Sequence, residues 1–571
     1  MSNFPIILGI TYGGHDSSAC LTVGGNLVAA CEEERFNRKK HTQEFPTLSI
    51  NECLKKAKIT IDDVNEIGFI FDPILIIKEK YLKLALEDER KIQFMINDIE
   101  RIQKTLNLES IIREKTGFNG KISFHLHHLC HLASSYYVSG FDEALLVSHD
   151  GMGEIDCSLI GAGKNDEISI LKKGNQYPDS IGLLYSAITH YLGWKHHSDE
   201  GIVMGLAPYG DSKTIIESSN KTYADIFKEI IYETEDYHFE IDKSWMEYHL
   251  VRDKWISEKF IQTFGPKREP EGPVESHHKH VAAALQDRIE EIILNQLKKA
   301  RKEFGYKKLC LSGGVFLNCS LNGKIIESKI FDEIFVQPAS SDDGAAIGAC
   351  FLSHKKLDDG LKTKKFDDFY LGSSFSNDDI EKSLKLHKVD YKKPENIFEY
   401  TAKKLKEKKI IGWFQGGAEF GPRALGNRSI LTSPYPKDMK DFLNARVKFR
   451  EEFRPFAPAI LNEYTEEYFE IQQESPHMLI NAKVRNEKAE EVSAAIHIDN
   501  TARVQTVKPE NNIRFRKLLE AFHEETKCPV LLNTSFNVKG QPIVNSPDEA
   551  IDCFLGTNID VLTIGDFILE K

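Results

Sequence analysis

Three apolar runs that each end in a glycine turn constrain this chain more than any other feature: GITYGGHDSS near the start, LLVSHDGMG ending at Gly153, and KKLCLSGGVFLN ending at Asn318. Paired glycines after a strand expose backbone N–H groups that side chains would otherwise cover, so an anion can approach closely. A single such turn reads equally well as a plain tight turn. Three in one chain form a layout in which each turn embraces a different part of a nucleotide.

That layout is the one of a two-lobed nucleotide-binding fold of the actin, sugar-kinase and heat-shock-chaperone type, so the expected class is α/β. The opening reads as a strand at 5–10, a turn carrying His15 and Asp16, and a second strand at 26–30. Over 78–115, Ile92, Met95, Ile96, Ile99, Ile102 and Leu106 recur at three- and four-residue spacing. This predicts an amphipathic helical insertion whose stripe packs onto a core or a partner subunit. Further strands are expected at 144–148 and 307–311, with a long amphipathic helix between them from about 280 to 304. The stretch 355–368 carries charge without apolar periodicity and reads as a linker between domains at 1–355 and 370–571.

Beside the second turn lies HLHHLCH, in which His127 and His131 are an i, i+4 pair that one helical face presents together. Such a pair serves a metal or a buried structural role, and Asp150 is placed to close a metal site. Asp342 and Asp343, which precede a small-residue helix, are both candidates for a fourth ligand.

A net charge of -13 over 571 residues argues against broad nucleic-acid or anionic-membrane binding. Ten cysteines without a CxxC pair, and an opening without a basic and long apolar leader, fit a reducing cytoplasm. No apolar run is long enough to cross a bilayer. Cations matter where they concentrate, and Arg423, Arg428, Arg446, Lys448, Arg450 and Arg454 fall in two short segments rich in glycine, proline and phenylalanine. Planar guanidinium forks suit phosphate oxygens or a carboxyl-like carbonyl, with pairing to Glu451 and Glu452 as the alternative. Arg503, and the turn with Asn533, Ser535 and Asn537, add donors for a second anion or cap helices.

The segments GITYGGHDSSACL, EEERFNRKKH, HHLCHLASSYY, VMGLAPYG, LSGGVFLN, FGPRALGNRSIL, VKFREEFRPFAPAI and LLNTSFNVKGQPIV resemble the carbamoyltransferase family. That family includes the O-carbamoyltransferases of nodulation-factor, cephamycin and tobramycin biosynthesis. The resemblance runs from about residue 7 to the C-terminus. It implies an N-terminal actin-like ATPase domain, ribonuclease H-like and two-lobed, similar to the tRNA threonylcarbamoyl-transfer protein. It also implies a C-terminal α/β domain similar to threonylcarbamoyl-adenylate synthase.

Two reactions are then expected. Carbamoyl phosphate and ATP, the latter with Mg2+, would give carbamoyl-adenylate at residues matching Arg423, Lys448, Arg454, Arg503 and Ser535, with Met478 lining the pocket. Arg423, Lys448 and Ser535 would carry the chemistry there. The carbamoyl group would next pass to a hydroxyl of a sugar-containing or other small molecule, beside iron(II) held by His127, His131, Asp150 and Asp342. Asp342 is preferred to Asp343 because it aligns better with the motif of the tRNA-modifying relatives, and Mn2+ and Zn2+ stay open.

His15 matches a position near the transfer site, where it would orient or deprotonate the acceptor hydroxyl; its other reading is a turn histidine bonded to backbone. Lys40, Gly151, Gly313, Gly314 and Asn318 are candidate nucleotide contacts of the transfer domain. Neither nucleic acid nor membrane is an expected partner, and a homo-oligomer is left open. The competing readings are a tRNA-modifying or hydrogenase-maturation carbamoyl-transfer protein and a non-catalytic nucleotide-binding module. The acidic balance weakens a tRNA substrate, the lack of an acylphosphatase-like or cysteine-rich zinc segment weakens hydrogenase maturation, and the joint presence of the histidines, aspartates, arginines and serine discourages the non-catalytic module.

Overall fold

The computed structural model describes residues 4–251, 254–448 and 450–571. The chain divides into two compact units, one gathering residues up to 27, 43–47 and 58–365, the other 28–42, 48–57 and 366–571.

The first unit repeats one plan. The buried strand Ile6–Thr11 pairs antiparallel with Ser18–Val23 and parallel with Glu66–Phe69, which pairs in parallel with Lys121–Phe124. The strand Glu143–His149 likewise pairs antiparallel with Ser158–Lys164 and parallel with Lys308–Ser312, which pairs in parallel with Glu333–Val336. A central strand with a hairpin partner on one side and crossover strands on the other, used twice, is the two-lobed α/β arrangement expected from the three turns. The strand Ser18–Val23 was not legible as an apolar run, because its buried positions include Ser18 and Thr22.

Helices His127–Ser139 and Asp342–Leu357 pack against each other. The approach is close because Gly348 lies against the backbone of Cys130; a Cβ there would sit 1.9 Å from the Cys130 carbonyl oxygen. Gly348→Ala must therefore push the helices apart, and a loss of about 3 kcal/mol is expected. Urea unfolding checks this, and an unchanged midpoint would show that the contact yields freely.

The insertion is helical as expected, but broken into Ile76–Lys83, Leu84–Glu87, Arg90–Asn97, Ile99–Leu106 and Leu108–Thr116. Of the expected stripe Ile102 is buried, whereas Ile92, Ile96, Ile99 and Leu106 are exposed. Of the two expected places for the stripe, a core or a partner subunit, the core of this chain takes up little of it, because constant spacing gives one apolar face only while the helix is unbroken.

The second unit holds an eight-stranded sheet in the order Ile480–Lys483, Thr501–Val507, Ala457–Leu461, Val530–Ser535, Arg428–Thr432, Ile411–Phe414, Val561–Ile564 and Phe567–Glu570. Val530–Ser535 is central and antiparallel to both neighbours, with Ser535 at its C-terminal end opposite Ser429. Among the described residues, no helix is long and apolar enough to cross a membrane. All ten cysteines are free thiols.

Candidate functional site

In the first unit four ligand-type side chains converge. The helix His127–Ser139 presents two fully buried imidazoles one turn apart, the strand Glu143–His149 delivers Asp150 just past its end, and Asp342 opens its helix. Both histidine Nε2 atoms point at Asp150 Oδ2, His127 at 3.1 Å and His131 at 3.0 Å, and lie 3.0 Å from each other. Asp342 Oδ1 is 3.5 Å from His127 Nε2 and 3.9 Å from His131 Nε2. Asp343 is not part of the group.

Backbone donors aim Asp150. Gly151 and Gly314 donate their N–H groups to Asp150 Oδ1 at 2.8 and 3.2 Å, which leaves Oδ2 for the histidines. These two N–H groups, candidates for nucleotide contact, bond a carboxylate in this structure. Gly313 has a φ of +94°, and a Cβ on it would sit 2.2 Å from the His149 carbonyl oxygen, so only glycine fits. Asn318 caps the helix Cys319–Glu327, accepting from Leu321 N–H at 3.0 Å while its amide donates to Gln286. This is the capping behaviour of such residues. Lys40 is exposed and lies in segment 28–42, which groups with the second unit.

The electrostatics follow from burial and crowding. Burial opposes a charge on His127, yet Asp342 and Asp150 outweigh it and hold the imidazole up at about 9. Burial would raise Asp150, but hydrogen bonds from both histidines keep it well below the usual carboxylate range. Burial pushes Asp342 up. Separations of 3.0 to 3.9 Å among these histidine and carboxylate atoms bracket the edge, about 3.4 Å, of a tetrahedral shell with bonds of about 2.1 Å. Two imidazoles and two carboxylates without a thiolate therefore fit a divalent cation such as iron(II), manganese or zinc.

His15 adjoins this group, its backbone N–H 3.4 Å from Asp342 Oδ2. Its Nδ1 meets Asp16 Oδ2 at 2.7 Å, and its Nε2 bonds the His197 carbonyl. Burial opposes protonation, but Asp16 and that carbonyl hold His15 up at about 10, so it donates from both nitrogens. His15 thus bonds a backbone carbonyl and lies beside the four-residue group. Asp16, as the partner of His15, was not singled out from sequence, although its adjacency was the available signal.

In the second unit the predicted cations separate into two kinds. Lys448 is 4% exposed, and its ammonium bonds the Ser535 carbonyl, the Asn537 carbonyl at 3.1 Å and Asn537 Oδ1 at 2.8 Å. Ser535 Oγ donates to Asn537 Oδ1 at 2.7 Å and lies 3.3 Å from the ammonium. Burial and the charges of Arg450 and Arg454 hold Lys448 well below the usual lysine range. Burial, Arg454 and Arg503 lower Arg450 in the same way, so these cations form one cluster. Arg454 also reaches Glu451 at 3.6 Å, a loose version of the expected ion pair.

Arg423 is half-buried in the loop after Ile411–Phe414, which Glu419 shapes by accepting from the N–H groups of Leu425, Asn427 and Arg428. Met478 is buried against Leu425 and Ala457 with a left-handed φ of +58°. A bulky residue held there is a local strain of the kind that collects at functional sites. Arg428 does not belong with the anion-binding candidates: it is fully buried, stacks 3.7 Å over Phe414, and donates to carbonyls of Gln415, Asn427 and Ser373. Arg446 is exposed and stacks on Phe442. Segment 28–42 adds Arg35, which pairs with Glu32 and donates to the Gly421 carbonyl at 2.7 Å, while Glu32 accepts from Gly421 N–H.

Comparison with known proteins gives this geometry a family. Nodulation protein NolNO of Sinorhizobium fredii is 35% identical over 98% of this chain and 79% of its own length. The 3'-hydroxymethylcephem-O-carbamoyltransferase of Streptomyces clavuligerus is 32% identical over 51% of this chain and 54% of its own length. Among solved structures, full-length HypF in its phosphate- and nucleotide-bound form aligns with 14% identity and a TM-score of 0.31, covering 63% of this chain and 56% of that one. The family model described as carbamoyltransferase N-terminus matches residues 6–351, and the one described as carbamoyltransferase C-terminus matches 402–571. The chain belongs to the carbamoyltransferase family.

Proposed function

We propose that the protein is an ATP-dependent O-carbamoyltransferase that works in two steps, one in each unit. The observation that carries this reading is that each unit holds its own buried polar centre, cationic around Lys448 in one and of the His, His, Asp, Asp type in the other. In the first step carbamoyl phosphate is cleaved with one water, phosphate leaves, and the carbamate oxygen attacks the α-phosphorus of ATP. Pyrophosphate departs and carbamoyl-adenylate remains. Both reactants are anions, so Arg423, Lys448, Arg454 and Arg503 cancel their repulsion, and Ser535 orients the smaller one.

In the second step the acceptor oxygen attacks the carbamoyl carbon, the bond to AMP breaks, and the hydroxyl proton passes to His15 Nε2. This requires the acceptor to take the place of the His197 carbonyl, with His15 giving up its Nε2 proton to solvent beforehand. Asp16 holds the opposite nitrogen and so fixes the ring. A divalent cation held by His127, His131, Asp150 and Asp342, iron(II) in this reading, supplies Lewis-acid polarisation of the carbonyl or phosphoryl oxygen. The name of the Streptomyces relative supports a small-molecule hydroxyl as acceptor.

Incubation with carbamoyl phosphate, ATP and Mg2+ is expected to release pyrophosphate, and a screen of hydroxylated small molecules should then find one that gains a carbamoyl mass. Absence of pyrophosphate with every cation supplied overturns the first step. His15→Asn should lower acceptor carbamoylation by about a hundredfold or more while leaving pyrophosphate release measurable. Unchanged transfer by that variant removes His15 from the chemistry.

A further inference from the structure

Glu154 is not one of the four converging ligands, yet it is 3% exposed and touches the residue that opens their helix. The first N–H groups of a helix have no intrahelical partner, and Leu126, at the N-cap of His127–Ser139, offers no side-chain acceptor. Glu154 fills that role, accepting from His127 N–H at 3.2 Å through Oε1 and at 3.4 Å through Oε2. Its Oε1 also accepts from Asp72 N–H at 2.9 Å. The neighbouring Phe71 ring stacks on the His127 imidazole, with centroids 4.5 Å apart and planes 2° from parallel. Glu154 therefore holds the backbone of His127 directly and anchors the segment on which its ring rests. Gly153 tightens the same joint, since a Cβ there would lie 2.8 Å from His127 Cβ.

Charge gives a second reason to single out this residue. Asp150, Asp342 and Glu154 are three carboxylates in one buried region, and among the described residues no lysine or arginine forms an ion pair with any of them. The positive partners they do have are imidazoles, His127 and His131 facing Asp150 and Asp342, and a bound divalent cation would offset the remaining cost of burying three carboxylates together.

We propose that Glu154 is a positioning residue of the cation centre, fixing His127 and adding an uncoordinated negative charge that favours a divalent ion. This rests on the reading of the four-residue cluster as a metal site. The full chain, stripped with chelator, would be titrated with Co2+ and with Mn2+ as wild type, Glu154→Gln and Glu154→Ala, with circular dichroism as the check on folding. Removing an outer partner of a ligand weakens metal binding by about 10- to 100-fold. Glu154→Gln, which keeps an acceptor but no charge, should fall near the low end, and Glu154→Ala near the high end with an altered Co2+ visible spectrum. If the alanine variant does not fold, the glutamine variant decides. Failure of the wild type to bind either ion overturns the metal reading itself. Wild-type binding together with equal affinity and identical spectra in the folded variants overturns the role of Glu154 alone.

Discussion

Asp150→Asn is expected to abolish carbamoyl transfer, by about a thousandfold, with the fold intact. The substitution conserves size, but the backbone dictates which way the new amide faces. Gly151 and Gly314 N–H groups need an acceptor, so the amide oxygen stays on them and the nitrogen replaces Oδ2 toward His127 and His131. An amide nitrogen is neither a carboxylate ligand nor an acceptor for those imidazoles. If the four-residue group holds a cation that stabilises developing charge by several kcal/mol, as proposed above, its loss would account for that magnitude. Transfer from preformed carbamoyl-adenylate, measured with metal content on the same sample, checks this. Wild-type transfer without bound metal would sink the assignment.

Lys448→Met should stop the other reaction, lowering pyrophosphate release from carbamoyl phosphate and ATP by about a hundredfold or more. Methionine matches the length of lysine, so the effect isolates the ammonium. In the wild type that ammonium is buried among the Ser535 and Asn537 oxygens, with Arg450 and Arg454 adding positive charge. Such crowding leaves it poised to gain from an arriving anion. Metal binding in the first unit should be untouched, and pyrophosphate release at the wild-type rate would exclude Lys448 from catalysis.

What could be read from sequence was local. His127 and His131 announce their shared face by spacing alone, and the strands ending at His149 and Ser312 by apolar runs that stop at glycine. The small residues after Asp342 signalled a helix that packs closely, and Gly348 against Cys130 is how it does so. What stayed hidden depends on partners far along the chain. Arg428 looked like an anion ligand because composition cannot show that loop carbonyls, including one 55 residues away at Ser373, take up its donors. Glu154 was invisible because a carboxylate after a glycine turn is ordinary until a helix is found to begin beside it.

The discontinuous make-up of the second unit has a consequence for synthesis on the ribosome. Its first pieces, residues 28–42 and 48–57, emerge early, whereas the remainder begins only at residue 366. At about 5 to 20 residues per second, the 308 residues from 58 to 365 take roughly 15 to 60 s to appear. Throughout that interval, and until residue 421 follows, the Gly421 backbone that Glu32 and Arg35 finally grip does not yet exist. A fragment begun at 366 would lack Glu32 and Arg35 altogether.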